Sequence, residues 1–226
     1  MPFIGNKPSA VPLTSADITD GIITSAKIAD GTIVNADINA SAAIDASKLT
    51  GLSSDYVLLA TTDASASASV SFDGYFSSTY KNYKLFISNA IPTGAANYVP
   101  SLRFRRSNAD ITTSNYYGAA SQAFNGGANT NGDFPSSLIN MVKDSSVSGN
   151  NDYGFSAEIT LYNPLGTSKY KMITGIGGYL YDTTRWYTTN FSGTLKDATS
   201  ALSGITYLHA GAESITSGNF KLYGIK

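Results

Sequence analysis

Few side chains in this sequence are equipped for proton transfer, metal ligation or nucleophilic attack. The chain has 226 residues, a single histidine (His209) and no cysteine. Thiolate catalysis, disulfides and cysteine-ligated zinc are excluded, and one histidine cannot build a multi-histidine metal site. Glycan cleavage would need paired carboxylates. Beyond residue 70 the acidic residues are Asp73, Asp110, Asp133, Asp144, Asp152, Glu158, Asp182, Asp197 and Glu213. Several adjoin Gly, Asn or Ser, where an aspartate commonly bonds its own backbone in a turn. Glu158 falls on the outward face of an alternating strand. No Gly-x-Ser-x-Gly elbow accompanies His209, which reads as a satisfied, partly buried residue near a sheet end. Gly175-Ile176-Gly177-Gly178 lacks the spacing and the following helix of a phosphate loop; glycines inside a strand mark a bulge or close packing. The aspartate-rich turns lack EF-hand spacing. The expectation is a protein that is not an enzyme, with no cofactor and no metal. One constellation suits a ligand: Tyr116, Tyr117, Arg185, Trp186 and Tyr187, with Tyr181. Exposed Trp and Tyr offer sugars a flat apolar face with a hydrogen-bonding edge. The competing role for the same rings is core or subunit packing.

Composition narrows the partners. Charged residues make up 14% and the net charge is −1. Phosphate binding needs a concentrated basic face, so no nucleic-acid partner is expected. Arg103, Arg105 and Arg106 are the only basic cluster, and alternation puts Arg103 and Arg105 on one solvated strand face. No apolar run is long enough to span a bilayer, so no membrane insertion is expected. Residues 1–8 lack the basic and apolar regions of a signal peptide, so export by that route is not expected.

The elements that must position these residues begin with a ladder. Ile18, Ile23, Ile28, Ile33 and Ile38 stand five residues apart, and the beat then slips by one to Ile44 and Leu49. A period of five fits neither a helix nor a straight strand. Burying every isoleucine requires a bend in each repeat. Ala16, Gly21, Ala26, Gly31 and Ala36 precede each isoleucine by two, where a tight bend leaves room for a small side chain. About seven such units are too few to bury their own apolar face. Several copies around one axis would do so. Three is the preferred number, two is an alternative, and a staple along another protein is a third arrangement. Residues 1–14 form an arm with no period of its own, anchored through Phe3 and Ile4 on a neighbouring chain or folded back on its own domain.

The chain thus divides into an arm (1–14), a repeat (15–52) and a β-rich domain (53–226). Residues 51–69, with the small-residue stretch 61–69, read as a connector that contains a short strand, Tyr56–Ala60. Alternation marks strands at 83–88, 102–106, 155–162, 170–174, 185–191, 204–209 and 219–225. Residues 125–133 and 144–152 read as two long polar loops. Short strands with frequent turns predict an all-β chain: a repetitive N-terminal shaft, then an antiparallel β-sandwich or jelly roll.

Two stretches carry a resemblance. Residues 15–50 resemble the A-(D/N)-L-X-X grammar of pentapeptide-repeat proteins, which implies a right-handed, four-sided β-helix. Residues 23–38, together with Gly-x-x-x-Leu-Tyr-Gly-Ile-Lys at 218–226 and Thr79-Tyr80-Lys81-Asn82-Tyr83-Lys84-Leu85, look like the virion fibre proteins of tailed bacteriophages. That resemblance implies a homotrimer located in the phage particle. Its arm would dock on another virion protein, its shaft would be trimeric, and its distal domain could meet a host-surface glycan or receptor. A tail fibre is the first expectation, a capsid-bound head fibre or decoration protein the alternative, and a glycan depolymerase a distant third.

Overall fold

The computed structural model describes residues 14–39, 41–44, 54–94, 98–142, 147, 154–181, 184–197, 199–212 and 214–226. The chain divides into two compact units, Met1–Ser53 and Ser54–Lys226.

In the first unit, three short 3-10 turns occupy Ser15–Asp17, Ser25–Lys27 and Asn35–Asp37. Between them the chain turns at Asp20-Gly21 and Asp30-Gly31. No strand and no stacked β-helix coil occurs among the described residues of this unit. The described residues show repeated turns rather than a shaft.

The second unit is all-β. Its strands are β1 (Tyr56–Ser67), β2 (Val70–Asp73), β3 (Asn82–Pro92), β4 (Val99–Arg106), β5 (Ala109–Asp110), β6 (Tyr116–Phe124) and β7 (Gly127–Ser136). There follow β8 (Ile139–Asn140), β9 (Phe155–Tyr162), β10 (Lys171–Leu180), β11 (Trp186–Leu195), β12 (Gly204–Ala210) and β13 (Ile215–Ile225). An eight-stranded sheet has the order β1-β13-β3-β9-β10-β11-β6-β7; the smaller sheet runs β2-β12-β4-β5, with β8 also on β4. Every ladder is antiparallel.

The period-two alternation of the sequence builds this arrangement. On β9, Phe155, Ala157, Ile159 and Leu161 are buried, while Ser156 to Tyr162 of the other parity face out. Tyr83, Leu85 and Phe220 of the large sheet share one core with Phe72, Leu102, Phe104 and Tyr207 of the small one. This is a β-sandwich-like packing, and each fully buried side chain of this size contributes about 1.5–3 kcal/mol. Strand β13 lies between β1 and β3 and pairs with both. The Tyr80 ring occupies the space where a side chain on Gly224 would stand, 2.5 Å from an ideal Cβ. The C-terminal motif and the 79–85 segment are therefore packing partners. The Lys226 amide donates to the Asp55 carbonyl at 3.0 Å, so the last residue lies beside the start of β1.

Two loop assignments change. The small-residue stretch 61–69 is no connector: β1 runs on through Ser67, with Ala64 buried and Thr62 opposite Phe220. Its Ala, Ser and Thr side chains suffice because backbone pairing with β13 supplies the order. The polar stretch 125–133 is a hairpin, with Asn125-Gly126 the turn and β7 returning along β6. The 144–152 stretch lies outside the described residues except Val147, which is buried and bridges to Tyr98.

Candidate functional site

The N-terminal ladder presents the most unusual surface. Backbone N–H to C=O bonds of the i to i−3 type recur at Asp17, Ile22, Lys27, Thr32, Asp37 and Ala42, one every five residues. The sequence beat and the backbone beat coincide. The Asp17 carboxylate locks the first turn by accepting from the Thr14 amide at 2.8 Å and its hydroxyl at 2.7 Å. This reciprocal arrangement resembles a capping box, and those bonds hold the Asp17 pKa below its ordinary value. Asp37 repeats the bond to the Val34 amide at 2.9 Å. In the middle turn Lys27 takes the carboxylate's place, and its ammonium donates to the Ile22 carbonyl.

The glycines have a different cause from the one expected. No atom stands within 4 Å of where a Cβ on Gly21 or Gly31 would lie, so space is not the constraint. Their φ angles are +77° and +78°, the left-handed region that glycine enters without strain.

No described residue of this unit covers the isoleucines. Ile18, Ile23, Ile28, Ile33, Ile38 and Ile44 are all exposed, together with Ile22 and Val34. The burial expected of these six isoleucines is thus absent within one copy. Leu49 and the proposed anchors Phe3 and Ile4 lie outside the described residues.

The aromatic constellation does not hold together. Tyr116 is fully buried; its hydroxyl accepts from the Phe104 amide at 2.9 Å and donates to the Ile111 carbonyl at 2.9 Å. Burial pushes that phenol well above its ordinary pKa. Tyr187 is also a core residue, stacked on Tyr179 with centroids 5.1 Å apart. Both sit at inward positions of strands whose alternation the aromatic composition concealed. Trp186 is exposed, and Arg185 lies over the Tyr181 ring at 4.4 Å. Tyr117 faces outward at the opposite end of the sheet, across from Thr194, with Lys196 over its ring at 4.6 Å. Eight residues of strand separate that position from Trp186, about 26 Å. Tyr117 and Trp186 cannot grip one sugar.

The outward face that they delimit is nonetheless distinctive. On β10, β11 and β6 it carries Met172, Thr174, Ile176, Gly178, Leu180, Trp186, Thr188, Asn190, Ser192, Thr194, Tyr117, Ala119, Ser121 and Ala123, with no acidic or basic side chain. A groove of about 490 Å³ runs over Gly178 between Phe86, Ile176 and Asn190. Glu158 of β9 also lines this groove and pairs with Lys84 of β3.

Three polar side chains of the β domain, Arg105, Lys171 and His209, are structural. Arg105, read as solvated, binds Asp73 of β2 and Asp110 of β5, and its Nη1 donates to Thr206 at 3.0 Å. Lys171 is buried; its ammonium donates to the carbonyls of Gly166, Lys169 and Thr199. Burial first, and then Arg106, lower its pKa. The cue was faint: Lys171 occupies an inward parity position on β10. His209 is buried, with Nε2 2.9 Å from the Tyr207 hydroxyl. Among the described residues no three His, Asp or Glu side chains converge as a metal site. No helix among them is long and apolar enough to cross a membrane.

No family model, no curated protein and no solved structure matches the chain.

Proposed function

We propose that this chain is a homotrimeric structural protein of a tailed-phage particle. Residues 15–52 join the copies, and residues 1–14 dock on another virion protein. In the first reading it is carried on the tail, with the β domain turned outward toward the host surface. The observation that carries the self-assembly is the row of eight exposed branched side chains on a regularly turned backbone. A soluble monomer rarely leaves so many apolar groups in one contiguous run uncovered. The mechanism is mechanical and adhesive, with no bond-making step.

The test is Ile28→Asp. Charges brought into the shared surface should raise the concentration for half-assembly by at least about a hundredfold, or about 3 kcal/mol. The β domain should stay folded by near-ultraviolet circular dichroism. Undiminished assembly by light scattering would refute the reading. Antibody labelling of particles decides between tail and capsid.

A further inference from the structure

The turns of the N-terminal unit alternate in kind, which doubles the period of the sequence. The bonds at Asp17, Lys27 and Asp37 close 3-10 turns. Those at Ile22 and Thr32 close turns through Gly21 and Gly31 at positive φ. Residues ten apart therefore share a backbone conformation, whereas residues five apart do not. The isoleucines sort accordingly. Ile18, Ile28 and Ile38, which follow 3-10 turns, are 46%, 38% and 41% exposed; Ile23 and Ile33, which follow glycine turns, are 54% and 55% exposed. One chain thus presents two unlike rows, each with a ten-residue repeat. The third position of the 3-10 turns alternates in sign: Asp17, Lys27, Asp37. The local bonds of both aspartates run through Oδ2 alone.

We propose that the rows are covered by the same segment of another copy of this chain, displaced by one ten-residue step, so that Lys27 meets Asp17 or Asp37 of its neighbour. A partner that covers each row equally must repeat at the same interval, and this segment does. Charge selects the displacement. Lys27 set level with Lys27 repels, whereas one step in either direction brings it to a carboxylate. Such a contact joins unlike parts of neighbouring copies, and three equivalent chains close into a ring through it when each chain winds about the common axis so that residues ten apart in neighbours come level. The inference rests on the self-assembly proposed above and adds the unit in which it is counted.

Full-length variants measured by sedimentation velocity test it. Tandem duplication of residues 15–34 keeps both the turn alternation and the charge order. That variant should assemble to the wild-type subunit number within about threefold of the wild-type concentration. Duplication of residues 15–29 sets two 3-10 turns in succession and should need at least about tenfold more protein. Lys27→Asp should show a comparable loss, and the triple variant Asp17→Lys, Lys27→Asp, Asp37→Lys should recover it. Equal assembly of the two duplications overturns the ten-residue step, as does an undisturbed Lys27→Asp. Both results leave self-assembly standing. A wild type that stays monomeric at every concentration removes self-assembly itself and assigns the rows to a different protein.

Discussion

His209 shows what a single buried side chain imposes on the whole domain. Burial lowers its pKa from 6.5 to about 4, and the nearby Ala90 carbonyl opposes that shift only in part. Among the described residues its Nδ1 finds no hydrogen-bond partner. Between these two values the unfolded chain takes up a proton that the folded chain refuses. Stability therefore falls as the pH drops from about 6.5 to about 4, by about 3 kcal/mol over that window, and this residue adds no dependence above it. His209→Gln, which keeps a partner for the Tyr207 hydroxyl, should flatten the acid side of the profile. Urea midpoints at pH 7 and pH 4.5 measure this; parallel wild-type and variant losses would assign the acid sensitivity elsewhere. The sequence indicated a satisfied, partly buried histidine; the residue is instead buried outright, and of its two ring nitrogens only Nε2 has a partner among the described residues. The partners of Arg105 were not legible. Its two aspartates reach it from β2 and β5, and an alternation rule that sees one strand at a time cannot place partners that pairing brings in from elsewhere.

Individual strands were legible where large apolar residues alternate, as in β3, β4, β9 and β13. They were illegible where the strand is built mostly from Ala, Ser, Thr, Asn and Gly, as in the second half of β1 and in β7. Both lie at the edges of the large sheet, where one-sided pairing asks less of the side chains. The glycines of β10 carry the opposite lesson. A Cβ on Gly175 would stand 2.3 Å from the Phe191 ring and 2.8 Å from the Glu158 carbonyl oxygen. The ring fills the missing side chain's volume, so close packing is the reason for this glycine. Gly175→Ala should destabilise the domain by about 3 kcal/mol in equilibrium denaturation. Gly132→Ala, whose Cβ would meet only the Gly118 oxygen at 4.0 Å, should stay within about 0.5 kcal/mol of wild type. Similar losses at both sites would contradict the packing argument.

For the molecule as a whole, the two units call for different physics. The unit Ser54–Lys226 holds a shared core of its own; in Met1–Ser53 every residue whose burial is described is exposed. A fragment spanning 54–226 should fold as a monomer, with a melting temperature independent of protein concentration, whereas that of the full chain should rise with concentration. A concentration-dependent fragment would place the association surface in the β domain. The neutral face of β10, β11 and β6 would then be the region to examine. The ladder's five-residue beat and the need for bends were plain in the sequence, because isoleucine spacing records them directly. The doubling to ten was not, since alanine and glycine are both merely small until the sign of φ separates them. The proposed aromatic site dissolved because residue type says nothing of which side of a sheet a ring occupies.

Because the backbone at residue 226 is hydrogen-bonded to the backbone at residue 55, the β domain receives and releases its chain at neighbouring points. A reporter protein or peptide tag joined after Lys226 would emerge beside the entrance to β1, leaving the far loops of the sandwich unobstructed. Display of foreign sequence at the opposite end would have to be built into a hairpin instead.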